Sequence, residues 1–257
     1  MTTYTFGIRG HLDDHWAAWL GDLRVTRSAD GTSTLTGPVR DQAHLHGILG
    51  GLRDIGAELC SLNVVEDVAP TLPHPVRTKR LTLRAARPDD ADAIWQYRRL
   101  PEVGAWLTEI PTDLDAYRAT FTDPGRLATT VIVELDGTII GDFMLRVDDA
   151  WAQAEVRDQA RGTQAELGSV LDPAFHGHGY ATEAMRALLR VCFDDLGVRR
   201  VTANAFLANE ASCRLMERLG MRREHHAVAE SLHRSGAWLD TVDYALLSHE
   251  FTHHTKE

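Results

Sequence analysis

The sequence predicts an α/β (α+β) chain built in two parts, on the strength of three observations. Short runs that alternate apolar and polar residues are interleaved with stripes of helical period along most of the chain. Asp30-Gly31 and Asp136-Gly137 are hairpin-turn dipeptides flanked by strand-like runs, one in each part. Between them, Val68-Ala69-Pro70-Thr71-Leu72-Pro73-His74-Pro75 carries three prolines in six residues, which neither a helix nor a central strand tolerates. The expected division is a small domain over 1–67, a Pro-rich linker over 68–77, a larger domain over 78–252 and a polar tail over 253–257.

In the first part Tyr4, Phe6 and Ile8 alternate as a half-buried strand does. Asp13 is placed to cap a short helix bearing Trp16, Trp19 and Leu20. Leu23 to Arg27 and Thr32 to Val39 read as strands around Asp30-Gly31. Leu45, Ile48, Leu49 and Leu52 fall on one helical face that ends near Gly56, and Leu59 to Val65 reads as a last strand. The order βαββαβ is the ferredoxin-like pattern, which by itself names no function.

In the second part Leu81 and Leu83 alternate in a strand, and Pro88, Asp89 and Asp90 open a helix with Ala93, Ile94 and Tyr97 turned inward. A second helix is expected from Thr112 to Phe121, then strands over 129–135 and 138–146 around Asp136-Gly137. The stretch 148–162 is polar and poorly patterned, as a loop is. Strands over 166–171 and 201–206 alternate with helices over 181–196 and 209–219, and a final strand pair covers 225–232 and 239–250.

Composition narrows the class. A length of 257 residues suits two domains, and 44% apolar residues can bury cores without disulfides. A net charge of −10 argues against nucleic acid, whose phosphates need Lys and Arg, and suits a cationic substrate. Cys60, Cys192 and Cys213 are scattered, with no CxxC spacing, and Met1 to Gly10 lacks the apolar run of a secretory signal. No run of about 18 apolar residues is present to span a membrane. A cytoplasmic protein is expected. His176-x-His178, His225-His226 and His253-His254 lack the Cys or carboxylate partners that would complete a site, so no metal is expected.

The most informative segment runs from Leu171-Asp172-Pro173 through His176-Gly177-His178-Gly179-Tyr180-Ala181-Thr182 into a helix with Ala184, Leu188, Leu189, Cys192, Phe193 and Leu196 on one face. Glycines let backbone N–H groups turn and be approached closely. The first helical turn adds unpaired N–H groups and the positive dipole end, an arrangement suited to an anionic phosphate. The spacing is neither that of a Walker loop nor that of a dinucleotide fingerprint.

This run, followed by Asn209-Glu210-Ala211-Ser212 and Glu217-Arg218-Leu219-Gly220-Met221, resembles the GNAT N-acetyltransferase superfamily, in particular its Rim-type (ribosomal-protein N-acetyltransferase-like) branch. The likeness covers about Thr78 to Phe251, from Arg80-Leu81-Thr82-Leu83-Arg84 to Gly236-Ala237-Trp238-Leu239-Asp240 and Tyr244. It implies a mixed, mostly antiparallel central sheet flanked by helices. It also implies acetyl-CoA as co-substrate, direct attack by a primary amine, and no covalent enzyme intermediate. The amine is a protein or peptide N-terminus or a small molecule.

By this resemblance His176, Gly177, His178, Gly179, Tyr180, Ala181 and Thr182 hold the coenzyme A pyrophosphate, although His176 stands where the family has Gln or Arg. Val170 and Leu171 engage the pantetheine arm, and Asn209, also a good helix N-cap, contacts it. Acetyl transfer needs a deprotonated amine, a polarised carbonyl and a proton for the departing thiolate. Glu166 is one candidate base, alone or through water, and Glu230 a second; each also reads as an ordinary strand-end or edge carboxylate. Many family members place an acidic tyrosine near position 216, where this chain has Met216, which shifts the acid to Ser212 or to the substrate itself. Trp95, Trp106 and Trp151 are candidates for the acceptor side. The alternative is a non-catalytic acyl-CoA-binding sensor. The front domain is expected to serve interaction, regulation or dimerisation, the last giving a homodimer.

Overall fold

The computed structural model describes residues 2–12, 16, 20, 23–27, 31–65 and 71–251. Asp13, Trp19, Asp30, the linker residues 68–70 and the tail 253–257 lie outside them. The chain divides into two compact units, Met1–Val68 and Ala69–Glu257.

The first unit contains strands β1 (Thr2–Arg9), β2 (Arg24–Arg27), β3 (Thr32–Val39) and β4 (Glu58–Val65), with helix α1 (Gln42–Asp54). The sheet order is β2-β3-β1-β4, all pairs antiparallel. Asp41 starts α1 because its side chain accepts from His44 N at 2.8 Å, and such a cap contributes about 1 kcal/mol. The alternating Phe6, Ile8, Leu35 and Val39 meet the helical stripe Leu45, Ile48 and Leu52 in one core, which Leu20 joins. Trp16 packs against its edge. Leu20 N donates to Trp16 O at 3.0 Å, a helical step in the expected place.

The second unit is an eight-stranded sheet in the order β11-β12-β10-β9-β8-β7-β6-β5. Its strands are β5 (Val76–Arg77), β6 (Leu81–Ala85), β7 (Thr130–Leu135), β8 (Thr138–Asp148), β9 (Gln164–Leu171), β10 (Arg200–Phe206), β11 (Arg222–Leu232) and β12 (Trp238–Leu247). Only β9 and β10 pair in parallel; the other pairs are antiparallel. Asp136 and Gly137 have φ of 49° and 81°, the left-handed pair that a tight β7–β8 hairpin demands. The segment expected as a linker is partly structural: Leu72 is buried in the core of this unit, and Val76–Arg77 pair with β6.

Helices cover both faces. One layer holds α2 (Ala91–Arg98), the single turn α3 (Pro101–Gly104), α4 (Leu114–Phe121) and α5 (Pro124–Thr129). Its core is Ala91, Ile94, Tyr97, Tyr117, Phe121 and Ile132. Inside it, Asp142 accepts from Tyr97 Oη at 2.8 Å and from the half-buried Arg98 guanidinium, so the polar groups there satisfy one another. Burial and the Asp142 charge push the Tyr97 phenol well above its usual range. On the other face lie α6 (Tyr180–Arg190) and α7 (Glu210–Arg218) over the larger core. Beyond Arg190, α6 widens into a π-turn over Val191–Asp195. The polar stretch expected as a loop holds a 3₁₀ segment, Ala154–Ala160. Among the described residues, no helix is long and apolar enough to cross a membrane.

Candidate active site

The sheet forks at one place. β9 pairs with β8 along its length, from Gly141↔Leu171 to Asp148↔Gln164. On its other side it pairs with β10 only at Arg200↔Gln164, Val201↔Ala165 and Thr202↔Glu166. Past Glu166 the two strands part, and the β9 backbone from Leu167 to Leu171 has no strand on that side among the described residues. Backbone N–H and C=O groups need partners, so this free edge suits an extended, amide-bearing ligand. Val170 is packed into the helical layer of one face and Leu171 into the core of the other, which fixes the strand at the opening. Gly141 lets β8 lie close: a Cβ there would meet Val170 O at 2.7 Å.

The chain leaves β9 directly into the glycine loop. Asp172 accepts from Ala174 N at 2.9 Å and sets the turn Pro173–Phe175. His176 Nε2 faces Leu171 O at 3.1 Å, and His178 Nδ1 faces His176 O at 2.8 Å. A carbonyl only accepts, so each of those ring nitrogens carries the proton. The histidines therefore brace loop carbonyls. Gly177 and Gly179 both have φ of 80°, a conformation that costs side-chain-bearing residues, and α6 begins immediately after. Glu183 N closes the first helical bond to Gly179 O at 3.0 Å. The N–H groups of Gly177, His178, Gly179, Tyr180, Ala181 and Thr182 donate to no acceptor among the described residues. Consecutive free amides at the positive end of a helix make an anion cradle.

The sequence-predicted carboxylates are both engaged. Glu166 stands on the last rung before the fork. Its side chain forms a close ion pair with Arg146 of β8 and accepts from Asn204 Nδ2 of β10 at 3.2 Å. Asp148 and then Glu166 hold the Arg146 guanidinium above its ordinary range. Glu230 lies past an irregularity in β11, where Ala229 has φ of 48°, and its carboxylate accepts a close hydrogen bond from Thr241 Oγ1. Thr241 is the register partner of Phe206 at the end of β10, so Glu230 is tied to the strand beside that end. Glu166 and Glu230 share no contact among the described residues.

Asn209 caps α7 by accepting from Ser212 N at 3.3 Å. The half-buried Ser212 hydroxyl makes no hydrogen bond among the described residues, which leaves it free to donate. Met216, one turn on, is 3% exposed and belongs to the core.

The tryptophans separate. Trp95 stacks on Tyr117 at 5.5 Å, in the helical layer. Trp151 is 90% exposed. Trp106 clusters with Phe206 at 6.2 Å and with His233 at 5.8 Å. His233 Nε2 faces Ala105 O at 2.8 Å, and its Nδ1 accepts from Ser235 N at 3.2 Å. Arg234 donates to Leu107 O. The β11–β12 turn is thereby clamped over the end of β10. His233 and Asn204 were not singled out from the sequence, since only the fold brings residues so distant in the chain together. Among the described residues, no three His, Cys, Asp or Glu side chains group as a metal site.

Residues 80–222 match the family described as "Acetyltransferase (GNAT) domain", and residues 3–63 match a domain of unknown function, DUF8691. Over 177 residues the chain is 28% identical to "Putative ribosomal N-acetyltransferase YdaF" of Bacillus subtilis (strain 168), covering 67% of this chain and 94% of that one. The crystal structure of an acetyltransferase (GNAT family) from Bacillus anthracis superposes with a TM-score of 0.58 at 26% identity, over 69% of this chain and 100% of that one. Mycobacterium smegmatis RimJ, solved in complex with CoA-disulfide, shares the fold at a TM-score of 0.56 and 22% identity, over 69% of this chain and 87% of that one. The fork, the loop and these likenesses define a transferase that draws its acyl group from a coenzyme A thioester. The chain belongs to the GNAT family and is an acetyl-CoA-dependent N-acetyltransferase, with a further domain at its N-terminal side.

Proposed function

We propose that this enzyme acetylates a primary amine by direct attack on acetyl-CoA laid into the fork between β9 and β10. The observation that carries the reading is the adjacency of a free strand edge, Leu167 to Leu171, and six consecutive free amides, Gly177 to Thr182. The pyrophosphate takes the amides of the loop from His176 to Thr182. The pantetheine arm takes the β9 edge at Val170 and Leu171, with Asn209 beside it. Those contacts place the thioester near the end of the fork.

The amine then attacks the carbonyl carbon, its proton passes to a base, and the C–S bond breaks as the sulfur gains a proton. Glu166 is the better-placed base because it sits where the strands part. Its ion pair with Arg146 fixes its position beside the fork, and it takes the amine proton through water. Glu230 supplies a second negative group on the acceptor side. Ser212 carries the free hydroxyl for the thiolate. The net charge of −10 suits a cationic acceptor. A protein or peptide N-terminus is the favoured acceptor class, in line with the printed name of the B. subtilis relative; a small-molecule amine is the other. The chemistry assigned to these residues calls for no metal. Three free cysteines and the use of acetyl-CoA suit the cytoplasm.

The first unit is read as a ferredoxin-like module over 1–67 for interaction, regulation or homodimer formation. Its antiparallel order β2-β3-β1-β4 supports that reading. Its edge strand β4 is uncharged from Leu59 to Val65, with Leu59, Leu62 and Val64 between 38% and 48% exposed.

Thiol release from acetyl-CoA against a panel of peptides and small amines tests the catalytic reading, with calorimetry of CoA alone beside it. Binding of CoA and turnover on at least one amine are expected. Absence of CoA binding overturns the assignment of the fork.

A further inference from the structure

A strand-to-helix contact outside the fork touches the loop. Arg80, at the entrance of β6, donates from Nη1 to His178 O at 3.0 Å, and its guanidinium carbon lies 4.4 Å from the centroid of the Tyr180 ring. His178 stacks on the same Tyr180 ring at 5.6 Å. The same arginine pairs through Nε and Nη2 with Glu183 Oε2, each at 2.7 Å. Glu183 Oε1 accepts from Thr78 Oγ1 at 2.6 Å and from Arg80 N at 2.9 Å. Four donors from a segment some hundred residues away therefore converge on one carboxylate in the first turn of α6.

We propose that Thr78, Arg80 and Glu183 form a staple that positions the coenzyme loop, with Arg80 also cancelling a charge that would otherwise oppose the pyrophosphate. The inference rests on the reading that the loop binds that group. Two physical effects carry it. An acid in the first turn of a helix is favourable when the site is empty, yet it competes with a phosphate for the same positive dipole end. Arg80 and Thr78 turn that acid aside and saturate it. Thr78 and the Arg80 backbone fasten the helix start to the β6 entrance, while the Arg80 side chain holds the His178 carbonyl away from the cradle. The loop thus meets its ligand already formed, which lowers the ordering cost of binding.

These are positioning residues, and a double-mutant cycle in CoA affinity separates positioning by neutralisation from simple contact. The full chain is titrated calorimetrically with CoA, and the thermal midpoint of every variant is recorded. Arg80→Met is expected to weaken CoA about tenfold, since a charge-assisted bond is lost and Glu183 loses its counter-charge. Arg80→Lys, which keeps the charge near Glu183, is expected to lose only about threefold. Glu183→Gln is expected to stay within about twofold of wild type, and the pair Arg80→Met with Glu183→Gln to recover most of the tenfold loss.

Unchanged affinity in Arg80→Met overturns the staple while the coenzyme reading stands. An equal loss in the wild-type and Glu183→Gln backgrounds also overturns it, because Arg80 would then act on the phosphate directly. Wild-type protein that fails to bind CoA overturns the underlying reading instead. Should Arg80→Met unfold, Arg80→Lys, Glu183→Gln and the pair of them close a second cycle that gives the sign of the coupling.

Discussion

The proposed coenzyme end and the proposed acceptor end of the fork are built from different materials. The coenzyme end is backbone: a strand edge, two glycines with φ of 80°, and unpaired amides at a helix start. The acceptor end is side chain: Trp106, Phe206 and His233 in one cluster, with Glu166 and Glu230 tied to neighbours on other strands. A backbone site recognises what all its ligands share, a phosphate and an amide arm. A side-chain site recognises what differs between them. The contrast predicts that substitutions at the two ends will separate coenzyme binding from turnover and acceptor use.

The largest expected effect is at Glu166. Glu166→Gln should lower kcat by roughly 10²- to 10⁴-fold, the usual range for a lost general base, with CoA affinity unchanged. Glu230→Gln should cost far less, and a reversed order would make Glu230 the base. Next comes Gly179→Val. A β-branched residue at φ of 80° stores about 1–3 kcal/mol of strain in the middle of the cradle, so CoA affinity measured by calorimetry should fall by up to about a hundredfold. His233→Ala is smaller and lies on the other side of the contrast. It releases the β11–β12 turn from Ala105 at roughly 1 kcal/mol per bond, so the acceptor KM should rise a few-fold while CoA affinity holds. A loss of CoA affinity in that variant would erase the distinction between the two ends.

The smallest effect is acid sensitivity in the acceptor half of the sheet. The Arg200 guanidinium, with Arg222 behind it, holds the Glu224 carboxyl down at about 2, against an ordinary 4.5. A depressed carboxylate stabilises the fold above its unfolded value, and that contribution disappears as pH falls toward the folded one. Between pH about 5 and about 2 the thermal midpoint of wild type should therefore drop more steeply than that of Glu224→Gln.

The same contrast explains what could be read from the chain. The loop from His176 to Thr182 was legible because its signals are local: glycines, a strand end and an apolar helical stripe. Most of the strand and helix order was legible for the same reason, down to the cap at Asn209. The engagement of Glu166 with Arg146 and Asn204, the His233 clamp and the Arg80–Glu183 contact were not legible. Each joins residues at least 20 apart, and no periodicity reports such a pairing. His176 shows the limit most clearly. Its place in the loop was evident, but its ring is turned back to Leu171 O, which only the folded chain reveals.

The three-rung parallel seam between β9 and β10 has one further consequence. Because the larger core beneath it runs unbroken from Leu167 through Val201 to Val242, the wedge above is held ajar by the folded state itself. On the proposed reading no strand has to be prised loose when the thioester arm arrives, and every cycle begins with the doorway already open.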